Sequence, residues 1–295
     1  MKILNFGSLN LDFVYSVDHI VAPGETISSK SLEVFCGGKG LNQSVALAKA
    51  GAKVFHAGMV GPDGAALLET CRENGIDSGC ILEVAERSGN AIIQVSSAGQ
   101  NSIVLFGGAN QRNTRENVDA VLSRFDAGDL VLLQNEINLL DYIIDRAADR
   151  GMRVVLNPSP FDEKIRACDL RKVGVFLVNE IEGEQITGEK DPDAILRVMR
   201  EKYPDAAIVL TLGGDGAVYQ DRNECVREAA RKVKVVDTTA AGDTFAGYFL
   251  AGLVNGDPAG LALRRASFAA GIAVSRMGAS VSIPLMEEVA AGFAG

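Results

Sequence analysis

Short apolar runs of strand length recur along the chain, and between them the apolar positions return every three to four residues. The runs Ile3–Gly7, Lys53–Ala57, Leu130–Leu133, Arg153–Leu156, Val175–Val178 and Ala207–Leu210 predict buried strands. Between most of them, stretches such as Leu41–Ala50, Ala65–Asn74, Leu139–Arg150 and Pro192–Lys202 carry a helical period. Strands that are apolar throughout need cover on both faces, and helices alternating with them supply it. The pattern predicts an α/β fold with a mostly parallel sheet and helices on both faces. From Ala241 onward it turns almost wholly helical.

Two places break the alternation. Asp12–Val17 with Ser31–Phe35, and Asn90–Ser96 with Asn101–Phe106, read as extended segments with no helix between the members of a pair. Ser97-Ala98-Gly99-Gln100 has the composition of a hairpin turn. These four segments, near residues 12–17, 31–35, 90–96 and 101–106, are expected to form a small antiparallel sheet that covers the main one as a lid. No repeat, charge block or low-complexity linker divides the chain. A single domain over residues 1–295 is therefore expected.

Composition narrows the class. The chain has 295 residues, 47% hydrophobic and 23% charged, which suits a globular protein with a sizeable core. There are 38 acidic and 29 basic residues, for a net charge of -9 and no basic run. Nucleic acid and anionic membranes are poor partners for such a surface. The sequence shows no signal-peptide pattern and no apolar stretch of membrane-spanning length. The five cysteines, Cys36, Cys71, Cys80, Cys168 and Cys225, are odd in number and scattered, which suits reduced thiols in a cytoplasm. His19 and His56 are the only histidines and stand in unlike contexts. Catalysis through a histidine base is not expected.

The chemistry concentrates in three stretches. In Val236-Asp237-Thr238-Thr239-Ala240-Ala241-Gly242-Asp243-Thr244-Phe245, small residues lead into a helical pattern. Backbone N–H groups at such a helix start converge on an anion. Asp243 falls in the first turn beside them, where a lone aspartate is commonly only a cap. Phosphoryl transfer to an alcohol, however, needs a proton acceptor next to such donors. In Gly37-Gly38-Lys39-Gly40-Leu41-Asn42-Gln43, glycines permit close approach while Lys39 and Asn42 supply donors. This is not a Walker loop, because Gly40 stands where Ser or Thr would hold magnesium. In Gly7-Ser8-Leu9-Asn10-Leu11-Asp12, Asn10 and Asp12 fall beyond the carboxyl end of the first strand, where open α/β sheets bind ligands. Glu136 holds the equivalent place after Leu130–Leu133.

These stretches resemble the ribokinase family of carbohydrate kinases, the PfkB type. The resemblance spans essentially the whole chain. It rests on G-S-L-N-L-D, on P-G-E-T at Pro23–Thr26, on G-G-K-G-L-N-Q and on N-E-I-E at Asn179–Glu182. T-L-G-G-D-G at Thr211–Gly216 and D-T-T-A-A-G-D at Asp237–Asp243 complete it. The resemblance implies an ATP-dependent sugar kinase. Asn10, Asp12, Gly38, Lys39, Asn42 and Glu136 would bind the sugar, and Asp243 would be the base. The backbone of Ala240, Ala241 and Gly242 would form the anion hole. Asn179 and Glu182 match a pair that organises Mg2+ and its waters, while Thr211, Gly213, Gly216 and Ser267 match the nucleotide site. Asp237, Thr239, Val274, Met277, Ala279 and Ser282 match a loop pair holding a monovalent cation, K+. G-G-K-G-x-N-Q with N-x-D suits a free pentose, D-ribose above all. Cys36, before the double glycine, departs from the small residue expected there. Another sugar, a nucleoside or a sugar phosphate is the alternative substrate, and a sugar sensor without catalysis the more distant one. The apolar lid strands predict a homodimer through the lid.

Overall fold

The computed structural model describes residues 1–293. The first half holds β1 (Ile3–Phe6), β2 (Asn10–Val17), β3 (Ser31–Gly37), α1 (Lys39–Lys49), β4 (Val54–Val60), α2 (Ala65–Glu73), β5 (Asp77–Glu83), β6 (Gly89–Ser96) and β7 (Asn101–Phe106). Next come α3 (Arg115–Leu122), β8 (Leu130–Gln134), α4 (Leu140–Asp149), β9 (Arg153–Asn157), α5 (Glu163–Ala167), β10 (Val173–Asn179), α6 (Glu180–Thr187) and α7 (Pro192–Lys202). The chain continues through β11 (Ala207–Thr211), β12 (Ala217–Gln220), β13 (Cys225–Glu228), α8 (Ala241–Val254), α9 (Ala259–Ala273) and α10 (Met286–Phe293).

Nine strands form the main sheet in the order β13-β12-β11-β10-β9-β8-β1-β4-β5. From β11 to β5 every pair is parallel, and β12 and β13 are antiparallel at one edge. Successive residues of β8 point to opposite faces. Leu130 and Leu132 enter a core with α1, α2, α8, α9 and α10, while Val131 and Leu133 enter one with α3, α4, α5 and α7. That two-sided burial is why these strands read as unbroken apolar runs. The strand order reverses direction about β1, where sheets of this kind open a crevice at their carboxyl ends. Local signals hold the helices in place. Asp191 accepts from Ala194 N–H and Pro192 opens α7.

The second sheet has the order β3-β2-β6-β7. Both predicted pairs are antiparallel, but they join through a parallel pairing of β2 with β6, Asp12 opposite Ala91. The expected all-antiparallel lid is thus corrected to a mixed sheet. Its strands also run further than the sequence predicts, so Asn10 and Asp12 lie on β2 itself and Cys36 and Gly37 on β3. Unforeseen as well are β5, β12 and β13. No described helix is long and apolar enough to cross a membrane.

Candidate active site

The end of the cleft expected to take the sugar is assembled where β1 gives way to Gly7 and Ser8. Glycine is required at position 40 because a Cβ there would stand 2.3 Å from Ser8 N, so α1 starts in direct contact with that turn. Gly40 N–H donates to Ser8 Oγ at 3.1 Å, and Ser8 Oγ–H donates to Glu136 Oε2. Lys39 N–H donates to the same Glu136 oxygen at 3.0 Å. At position 37 a Cβ would meet Asp12 Oδ2 at 2.0 Å, so the glycine there lets β3 pass the Asp12 carboxyl. Asn110, which the sequence motifs do not single out, accepts from Leu9 N–H at 3.0 Å and donates to Asn10 Oδ1 at 2.7 Å. It thereby leaves the Asn10 amide N–H2 free for a ligand.

Charge is crowded here. Burial, then the carboxylates of Glu136 and Asp243, push Asp12 up from 3.8 to about 7. Burial also raises Glu136, against the opposing pull of the Ser8 hydrogen bond and Lys39. For Lys39 burial works downward, but Asp243, Glu136 and Glu182 outweigh it and hold the ammonium above its ordinary value.

Asp243 stands at the start of α8, only 7% exposed. Asn42 Nδ2–H donates to its Oδ2 at 3.0 Å and Gln43 Nε2–H to its Oδ1 at 2.9 Å. Ala240 precedes the helix in the left-handed region at φ 57°, a strained conformation for alanine of the kind that collects at functional sites. Of the expected anion-hole amides, Ala241 N–H is engaged with Thr238 O at 3.2 Å. The Ala240 and Gly242 N–H groups, and that of Asp243 beside them, have no acceptor among the described residues. Space is open beside Gly242. A cavity of about 240 Å³ lies there, lined by Lys39, Asn157, Asn179, Glu182, Thr211, Thr238 and residues 240–243. A helix N-terminus with free amides beside an ammonium is suited to phosphate.

Asn179 and Glu182 form a capping box on α6, Asn179 accepting from Glu182 N–H at 2.9 Å and Glu182 Oε2 from Asn179 N–H at 3.0 Å. Glu182 Oε1 carries no hydrogen bond among the described residues, so the cap leaves one oxygen of this buried carboxylate for another role. No cluster of three or more His, Cys, Asp or Glu side chains able to hold a metal occurs among the described residues. Gly213 and Gly216 both have positive φ, and a Cβ on Gly216 would meet Glu228 O at 2.0 Å. Ser267 lies outside the Asp243 cavity. It lines a separate one of about 380 Å³ with Arg231, Phe268 and the Glu228-Ala229 segment against which Gly216 packs. Its hydroxyl is buried without a partner.

The two C-terminal loops do meet. Asp237 Oδ1 accepts from Thr239 N–H at 2.9 Å and from its hydroxyl at 2.6 Å, while Oδ2 accepts from Gly278 N–H at 2.9 Å. Val274 O accepts from Val236 and Asp237 N–H, and Ala279 O from Ser282 N–H and Oγ–H. Lys49 of α1 reaches the second loop from outside it, donating to Ile283 O at 2.8 Å and Ser280 O at 3.4 Å.

Among solved structures, the ribokinase of Thermotoga maritima superposes with a TM-score of 0.88 at 34% identity, covering 100% of this chain and 99% of that one. Ribokinase of Arabidopsis thaliana, complexed with ribose and ATP, gives 0.85 at 27% identity over 98% and 97%. By sequence, ribokinase of Haemophilus influenzae is 34% identical over 96% of this chain and 95% of its own length. The profile described as pfkB family carbohydrate kinase matches residues 1–286. The free amides, the buried aspartate beside them and these matches converge on one assignment: the chain belongs to the pfkB family of carbohydrate kinases.

Proposed function

We propose that this carbohydrate kinase transfers the γ-phosphoryl group of ATP to the primary hydroxyl of D-ribose, giving D-ribose 5-phosphate, with Asp243 as general base. The observation that carries the reading is the position of Asp243. Its carboxylate is clamped by two α1 amides at the acceptor end and opens onto a cavity lined by free helix N-terminal amides. Asn10, Asp12, Glu136, Lys39, Asn42 and the Gly38 backbone hold the sugar hydroxyls and leave the primary one at Asp243. Asp243 takes its proton as the oxygen attacks phosphorus in line. The Gly242 and Asp243 N–H groups and the Lys39 ammonium hold the charge spread over the phosphoryl oxygens. Thr211, Gly213 and Gly216 would carry the nucleotide toward Ser267.

Magnesium supplies neutralisation of phosphate charge when bound with ATP. Asn179 and Glu182 would hold it through its waters, and the unbonded Glu182 Oε1 on the cavity wall fits that role. A potassium ion would be held between the two C-terminal loops. Their carboxylate and carbonyl oxygens, from Asp237, Thr239, Val274, Met277, Ala279 and Ser282, are hard donors suited to it, and of these Asp237, Val274 and Ala279 also accept hydrogen bonds within the loops. The four-stranded sheet serves as the lid of this one kinase domain. Leu32, Val34, Ile92, Ile103, Val104 and Phe106 leave it exposed and apolar, which favours a two-fold dimer of lids. Val104→Lys should convert the dimer to monomer by solution mass at micromolar concentration, and a wild-type monomer there removes the dimer.

The central test is a coupled assay over ribose, deoxyribose, fructose, nucleosides and sugar phosphates. Ribose should give the highest kcat/KM, and Asp243→Asn should lower kcat roughly 10²–10⁴-fold, the contribution usual for a general base. A higher kcat/KM on another acceptor would reassign the substrate.

A further inference from the structure

We propose that Gln43 is a positioning residue for Asp243, held in a single amide orientation by a buried chain of side chains through Gln134, Asn5 and Ser44 to His56. This rests on the reading of Asp243 as the base. All five of these side chains are 0% exposed.

The chain has one direction. Gly7 O can only accept, so His56 Nε2–H donates to it at 3.3 Å and Nδ1 is left as an acceptor. Burial pushes His56 down to about 4, so the ring is neutral and this tautomer is retained. Ser44 Oγ–H then donates to Nδ1 at 2.7 Å, and Ser44 Oγ accepts from Asn5 Nδ2–H at 2.8 Å. Asn5 Nδ2 also donates to Gly40 O at 2.7 Å, which fixes its amide from a second side. Asn5 Oδ1 must therefore accept, and Gln134 Nε2 donates to it at 3.0 Å and to Gln43 Oε1 at 2.7 Å. Turning Gln134 round would set its oxygen against two other carbonyl oxygens. It keeps this orientation although its own Oε1 has no partner.

With Gln43 Oε1 committed to Gln134, Nε2 is the end that faces the active site. It donates to Asp243 Oδ1 at 2.9 Å and to Asn157 Oδ1 at 3.1 Å. A reversed Gln43 would press an oxygen against the Asp243 carboxylate and a nitrogen against Gln134 Nε2. Both ends forbid it. The other charges that act on Asp243 are those of Lys39 at the start of α1, Asp12 on β2 and Glu136 after β8, and none of them hydrogen-bonds to its carboxylate among the described residues. The carboxylate plane is thus set before substrate arrives, by Gln43 on one oxygen and Asn42 on the other.

Gln43→Met matches the side chain in length and removes its donors. It should lower kcat about 10–100-fold, the cost of a misplaced reacting group, with sugar and ATP KM within about threefold of wild type. The acidic limb of the kcat–pH profile should move up, because a hydrogen bond to the charged carboxylate is lost. In the Asp243→Asn background the same substitution should change the residual rate by less than about twofold, since no base remains to be positioned. Gln43→Glu, which still accepts from Gln134, carries the test if the Met variant does not fold. Its carboxylate beside Asp243 should move the acidic limb up further. More than half of wild-type kcat in Gln43→Met, an equal loss in the Asp243→Asn background, an effect on KM alone, or an unmoved acidic limb in Gln43→Glu each overturns the positioning role. Asp243→Asn keeping more than half of wild-type kcat would instead remove the base.

Discussion

The two ends of the cleft are built of different materials. At the end proposed for the acceptor it is side chains that line the cleft, and three of them are held by others: Asn10 by Asn110, Glu136 by Ser8, Asp243 by Asn42 and Gln43. At the end proposed for the nucleotide it is backbone that lines the cleft, through the Gly242 and Asp243 amides and the positive-φ turns at Gly213 and Gly216. A sugar differs from its rivals by the placement of single hydroxyls, which only oriented side chains can read. Phosphates are alike in every nucleotide, and a row of N–H groups suffices for them. Selectivity for the acceptor is therefore expected to be fragile to substitution, and nucleotide binding tolerant.

Asp12→Asn should break the acceptor end hardest. Sugar KM should rise roughly 10–100-fold, the value of hydrogen bonds to a charged group, while ATP KM stays within about twofold. Stability should move the other way. Asp12 titrates at about 7 in the folded chain against an ordinary 3.8, so the folded state holds its proton more tightly. The residue costs nothing below about pH 4 and destabilises progressively as pH rises from there to 7, by about 1.4 kcal/mol for each pH unit crossed. Thermal unfolding of the Asn variant should match wild type at pH 4 and exceed it at pH 8. An equal rise in the KM of both substrates would dissolve the division between the two ends.

Glu182→Gln probes the nucleotide end. Glutamine still accepts from Asn179 N–H, so the cap and the melting temperature should hold. The magnesium concentration for half-maximal rate should rise about 10-fold, as when a metal's outer partner is lost. An unchanged magnesium requirement leaves Glu182 as a cap only. The smallest effect is expected at Asp237. Activity in potassium should exceed that in sodium about fivefold, the low end of coupling between sites, and Asp237→Ala should abolish the difference. Equal rates in both salts for wild type would remove the cation from the nucleotide end.

Legibility in the sequence followed the same division. Asp243, Lys39 and Asn42 lie in motifs whose residues are neighbours in the chain, and the structure gathers them at one cleft. The strand Leu130–Leu133 was plain because both its faces are buried. The amide chain behind Gln43 was not, because its members come from β1, α1, β4 and β8 and their polarity depends on contacts across the sheet. Gln134 and Asn157 did leave a signal, each a polar residue ending an apolar strand. The β12–β13 edge gave little, since Cys225–Glu228 is four residues long and half exposed. The parallel pairing of β2 with β6 is a long-range choice that hairpin patterns cannot announce.

That pairing has a consequence for how such enzymes diversify. Asn10 and Asp12 are residues of the central lid strand β2, paired with β3 on one side and β6 on the other. Two of the side chains proposed to hold the acceptor therefore share one sheet with the exposed apolar side chains of β3, β6 and β7 proposed to meet a second copy. A recombinant that exchanges residues 10–37 and 89–106 between two relatives should therefore shift assembly together with the part of substrate preference that Asn10 and Asp12 carry. Exchange of either segment alone would set one relative's β2 against the other's β6 and separate the two properties.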